Sequence, residues 1–63
     1  MNKKHGIYGF HYQGMYYEGL FKNNYLLECY VDYFNSNFKI SDYAIYEIES
    51  SNLKNFTFIR SHI

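Results

Sequence analysis

Three histidines, His5, His11 and His62, and one cysteine, Cys29, are the nitrogen and sulfur groups from which a metal centre or a nucleophile would have to be built. A zinc-type site needs several such ligands converging on one ion at about 2.0–2.3 Å. On a straight strand through residues 4–12, His5 and His11 share a face but stand about 20 Å apart, too far to hold one ion. Cys29 falls in the alternating run Tyr25, Leu27, Cys29, Val31, Tyr33, the most apolar face of the chain, where a thiol packs as a small hydrophobe and is unreactive. The expectation is neither a metal site nor a cysteine nucleophile.

Carboxylates occur in close pairs, Glu28 with Asp32 and Glu47 with Glu49, the minimum that acid–base chemistry needs. The same spacing is produced by any solvated strand face. No glycine-rich phosphate loop, serine elbow or dinucleotide fingerprint accompanies them. A chain of 63 residues seldom builds the concave pocket and supporting shell of catalysis, so no enzymatic activity and no cofactor is expected.

The remaining chemistry is aromatic. Nine Tyr and six Phe make up 24% of the chain, with no Trp and no Pro. Rings that bury roughly 150–250 Å² each can supply a small core that few Leu and Val residues would leave thin. Nine phenols nonetheless exceed what one small core can enclose, because each buried hydroxyl also needs a hydrogen-bond partner, so tyrosine is expected on the surface. Tyr30, between Glu28 and Asp32 on an outward strand face, is the first candidate for partner binding, with Tyr16 and Glu18 on the neighbouring strand. An aromatic surface rimmed by carboxylates suits a basic patch on a protein partner.

The expected function is a small non-catalytic protein-binding module, of the kind with which mobile elements inhibit or modulate a larger host complex. Two alternatives stand beside it. In one, Tyr8, Phe10 and Tyr12 form a platform that stacks single-stranded nucleic acid, with Lys3, Lys4 and Arg60 on phosphates. In the other, a homodimer or higher assembly buries the surplus rings between copies.

Six basic and six acidic side chains cancel, which weighs against nucleic acid and against anionic lipid. Residues 28–49 hold Glu28, Asp32, Asp42, Glu47 and Glu49 against Lys39 alone, leaving an acidic middle and basic flanks. The longest apolar runs fall far short of the roughly 20 residues of a membrane span. A lone cysteine makes no internal disulfide and no secretion-signal pattern is visible, so a reducing, cytoplasmic setting is expected.

The elements that must position these residues read as mainly β, in one domain over residues 1–63, with 1–4 a loose end. Residues 7–12 alternate Tyr8, Phe10, Tyr12 against Ile7, Gly9, His11. Gln13-Gly14 offers a hairpin turn, after which Met15, Tyr17 and Phe21 oppose Tyr16, Glu18 and Leu20. Asn23-Asn24 interrupts again and residues 25–34 favour a third strand over a helix. Asn35-Ser36-Asn37 reads as the next turn. Residues 42–50 suit either a strand, which is preferred, or a helix capped by Asp42 and burying Ala44, Ile45 and Ile48. A polar loop and a closing strand at 56–62 complete an antiparallel meander of four to five strands, as an SH3-like barrel or a dimeric sheet. The alternative is an α+β fold with a short helix in 25–34 or 42–50.

One stretch, Tyr17-Glu18-Gly19-Leu20-Phe21-Lys22-Asn23-Asn24, resembles the first half of a MORN repeat, a hairpin unit with tyrosine, glycine, an aromatic and then a turn. The paired glycines expected after the turn are replaced here by Leu27-Glu28-Cys29. The resemblance covers eight residues and implies a hairpin at this point.

Overall fold

The computed structural model describes residues 3–60. Alternation does build the first three strands: β1 (Gly6–Tyr12), β2 (Met15–Lys22) and β3 (Tyr25–Tyr33). A short β4 (Ser36–Lys39), a helix α1 (Asp42–Ser50), a single 3₁₀ turn at Leu53–Asn55 and a two-residue β5 (Ile59–Arg60) follow. All five strands lie antiparallel in one sheet ordered β4-β3-β2-β1-β5. The sheet stays open. Its edge strands, four and two residues long, are too short to zip together into a barrel.

Three two-residue turns connect β1 to β4, each with positive φ at both central residues, the condition of a type I′ hairpin. Gln13-Gly14 and Asn23-Asn24 meet that condition with φ of 51° and 79°, and 52° and 72°. The third turn is Phe34-Asn35, at 49° and 61°, one residue earlier than turn chemistry suggested. Asn35-Ser36-Asn37 therefore does not form the turn, and Ser36 instead pairs with Tyr33 at the start of β4. A side chain in this left-handed region costs roughly 1–2 kcal/mol unless it is Gly, Asn or Asp, which is why Phe34 was not legible as a turn residue.

Within β3 the register against β2 slips by one residue: Leu20 lies opposite Glu28, but Phe21 lies opposite Leu26. Leu27 is the extra residue of a bulge. The slip turns Leu26 inward, 4% exposed, and Leu27 outward at 50%, which corrects the simple alternation that put Leu27 with Cys29. Glu28, Tyr30 and Asp32 keep their expected side.

Residues 42–50 form the helix of the α+β alternative rather than the preferred strand. Ser41, not Asp42, is the N-cap, its hydroxyl accepting from the Ala44 N–H at 3.2 Å, while Asp42 sits in the first turn where the helix dipole favours a negative charge. The Ser50 hydroxyl donates to the Tyr46 carbonyl at 2.8 Å and that of Ser51 to Ile48 at the other end. Only a helix lets Ile45 and Ile48 meet the sheet together while Tyr43 and Tyr46 face out at 71% and 68% exposure. A strand here would have had to bury both of its sides.

The core comprises Phe10, Phe21, Leu26, Cys29, Ile45 and Ile48, ringed by Tyr8, Tyr12, Tyr17, Ile40, Leu53, Phe56 and Phe58. It is mostly aromatic: Phe10 stacks on Tyr17 at 5.6 Å and 11°, and Tyr8 meets Phe21 edge-on at 5.7 Å. Gly19 lies beneath it, where an added Cβ would come within 2.4 Å of Leu26 Cδ1. The helix and residues 53–58 thus cover one face of the sheet. Residues 56–58 supply Phe56 and Phe58 to that cover, so the closing strand shrinks to Ile59–Arg60, and the rest of the segment expected at 56–62 lies outside the described residues.

Beyond β4, the edge of β3 is covered by the helix and by the link that leads into it. The Leu26 N–H donates to the Glu49 carboxylate at 3.2 Å, and the Ile40 N–H donates to the Cys29 carbonyl at 2.9 Å. At the other end Lys4 is held by the second turn: its N–H donates to Asn24 Oδ1 at 2.6 Å and its carbonyl accepts from the Asn24 N–H at 3.1 Å, so Lys4 is not part of a loose end. Among the described residues no helix is long and apolar enough to cross a membrane.

Candidate functional site

Among the described residues, none forms a covering layer over the second face of the sheet. Pairing sets its side chains in rows. Ile7, Leu20 and Glu28 form the first row. Ile59, Gly9, Glu18, Tyr30 and Lys39 form the second. The third is His11, Tyr16, Asp32 and Asn37. All five residues proposed from the sequence, Tyr16, Glu18, Glu28, Tyr30 and Asp32, therefore stand on this one open face. None of the residues directly opposite the three carboxylates is basic.

Tyr16 does not stand free. Its ring lies across β1 onto Gly9, so that a Cβ built at Gly9 would be only 2.0 Å from the phenol oxygen. It also meets His11 at 5.3 Å between ring centroids, and it lies near the carboxylate of Glu18. Burial raises the Tyr16 pKa, and the nearby carboxylates of Glu18 and Asp32 push it the same way. The shift favours the neutral phenol, and the ring is positioned by its contacts with Gly9 and His11.

Tyr30 is 39% exposed, with Glu18 opposite on β2 and Lys39 opposite on β4. Beside it a shallow depression of about 290 Å³ has Ile7 and Leu20 as its apolar floor and Glu18, Glu28, Tyr30 and Asn37 around it. Neither Ile7 nor Leu20 stands among the residues proposed from the sequence; each lies on one face of its own strand, and it is the pairing of β1 with β2 that brings them side by side.

The other candidate groups are dispersed. Cys29 is fully buried, and burial pushes its thiol up to about 12, so it is a neutral thiol within the core rather than a nucleophile. His5 accepts a long hydrogen bond, 3.5 Å, from the Asn23 N–H, at the opposite end of β1 from His11, and His62 lies outside the described residues. Among the described residues no three of His, Cys, Asp and Glu converge on a common point. Glu49 is engaged by the Leu26 N–H, away from Glu47's exposed position. Glu28 and Asp32 flank Tyr30 along one strand, about 13 Å apart at 3.3 Å per residue.

The stacking platform on Tyr8, Phe10 and Tyr12 is overturned in its placement: those three side chains face the helix layer, Phe10 with no exposed surface at all, and cannot receive bases. Two of the three cations assigned to it are occupied on that same side, Lys4 Nζ lying 4.3 Å from the centroid of Phe58 and the Arg60 guanidinium 5.7 Å from that of Tyr8. Comparison with protein-family models, with curated proteins and with solved structures finds no match for this chain.

Proposed function

We propose that this chain is a small non-catalytic binding module that docks the open face of its sheet on a basic patch of a larger protein, and so inhibits or modulates that protein. The observation that carries the reading is the gathering of Glu18, Glu28, Tyr30 and Asp32, with Tyr16 positioned among them, on a face that no element among the described residues covers. Tyrosine supplies rigid contact area with a polar tip, and carboxylates around it steer and select a positive partner surface. A second copy docked face to face would set Glu18, Glu28 and Asp32 against their own counterparts, and that like-charge contact favours a different protein over a homodimer on this face.

The test is a tagged pull-down from native host lysate, with and without nuclease, comparing the wild-type chain with Tyr30→Ala and with Glu28→Gln. The expected result is one protein retained in stoichiometric amount despite nuclease, and at least tenfold weaker binding by Tyr30→Ala. Tyr30 is peripheral to the core, so its loss leaves the fold intact. Retention that depends on nucleic acid, or is indifferent to both substitutions, refutes the reading.

A further inference from the structure

The third hairpin turn departs furthest from the usual chemistry: Gln13 holds the same left-handed first position of the first turn at φ 51°, but only the third turn puts a bulky aromatic there. A type I′ turn takes Asn, Asp or Gly because both central residues are left-handed. Phe34 occupies the first of these positions at φ 49°. A bulky residue there is a conformational outlier, and the rest of the molecule gives little in return. Phe34 is 82% exposed, more than any other large apolar side chain among the described residues. Its ring neighbour is Tyr33, at 4.2 Å and 66°, itself 47% exposed. Strain held at an exposed position is a mark of function rather than of folding.

We propose that Phe34, with Tyr33 against it, is an anchor that inserts into an apolar pocket with a basic rim on the same protein partner. Aromatic side chains seated in desolvated pockets carry a large share of interface energy. The rim follows from charge: Asp32 is the only charged side chain between Tyr30 and Phe38, and it lies two residues before the anchor. That lone negative charge disfavours an anionic lipid surface. It also disfavours a second copy of the chain, whose own apolar depression is flanked by Glu18 and Glu28.

This inference rests on the protein-binding reading, and the experiment separates the two. Full-length chain is expressed in the native host with the photo-crosslinker p-benzoylphenylalanine in place of Phe34, of Tyr30 or, as control, of the exposed Lys54. Crosslinking from position 34 to one protein, mapped to apolar residues beside Lys or Arg, is expected at several times the control yield. Crosslinks to lipid, to a second copy, or at the control level overturn the anchor. If position 30 crosslinks and position 34 does not, the anchor fails and the open-face reading stands. If neither exceeds the control, both fail. Phe34→Asn then gives effects of opposite sign: the melting temperature rises by about 4–8 °C as the turn relaxes, while binding to the crosslinked protein weakens at least tenfold. Unchanged binding by this better-folded variant also overturns the proposal.

Discussion

Gly9→Ala tests the positioning of Tyr16. The new Cβ would lie 2.0 Å from the Tyr16 hydroxyl oxygen, 2.7 Å from Cζ and 2.9 Å from Cε1, whereas carbon contacts settle near 3.5–4.0 Å. The backbone cannot retreat, since Gly9 is paired with Glu18 on one side and Ile59 on the other. The ring must swing away instead. It then gives up its place beside Glu18 and the cross-strand contact with His11, each about 0.2–1 kcal/mol. Against this, replacing glycine stabilises by about 0.4–1 kcal/mol through the unfolded chain. With ring desolvation lost as well, the net effect is a destabilisation of about 1 kcal/mol, or about 4–8 °C in melting temperature for a domain this small. Urea unfolding followed by circular dichroism measures it. The decisive arm is the double-mutant cycle: in a Tyr16→Ala background the obstruction is gone, and Gly9→Ala becomes stabilising by about 0.4–1 kcal/mol. Additivity of the two substitutions within about 0.3–0.5 kcal/mol would show that the ring does not rest on Gly9 and refute the reasoning.

Other outcomes follow from the same packing. Stability falls with rising pH above about 9, because Cys29, Tyr16 and Tyr17 all have raised pKa values in the fold, mainly through burial. The unfolded chain releases these protons first, so it is favoured from about 9 upward through the Cys29 value of about 12, and Cys29→Ala should flatten the slope of stability against pH in that window. Gly19→Ala forces a methyl group toward Leu26 Cδ1, 2.4 Å away, and should destabilise by about 1–3 kcal/mol in chemical denaturation. Glu49→Ala removes the acceptor of the Leu26 N–H and should cost about 1 kcal/mol, with faster amide exchange at Leu26, while Glu49→Gln largely restores both. A thiol reagent should modify Cys29 only at the rate at which the core opens, and more quickly in the Gly19→Ala variant.

What could be read from the sequence was whatever obeyed a local rule. Period-2 alternation and the Gln13-Gly14 and Asn23-Asn24 signals located β1, β2 and β3 and put Glu18, Glu28, Tyr30 and Asp32 on one side. The hairpin implied by residues 17–24 forms, with Lys22 and Tyr25 closing its turn. What escaped was set by tertiary fit. The bulge at Leu27 exists because Leu26, not Leu27, fills the space above Gly19, and no local pattern announces which of two adjacent leucines turns inward. The helix at Asp42–Ser50 was ambiguous because its apolar residues suit either period, and the need of one sheet face for a cover decides the matter. The third turn was misplaced because Phe34 opposes the preference that normally reveals such a turn. Tyr16 was identified as a site residue from its neighbours, but its support by Gly9 depends on a cross-strand approach visible only in three dimensions.

The division of the sheet into a covered and an uncovered face bears on how this chain can change over generations. The packed layer holds the rings and isoleucines on which folding depends, so substitutions there are filtered by stability. Positions 18, 28, 30 and 32 lie outside it, where exchange of one side chain for another typically shifts stability by no more than about 0.5 kcal/mol. That surface can be rewritten one residue at a time without passing through an unfolded intermediate sequence. The exception is the pair formed by Gly9 and Tyr16, which must be kept or altered together and so ties one corner of an otherwise adaptable face to the history of the fold.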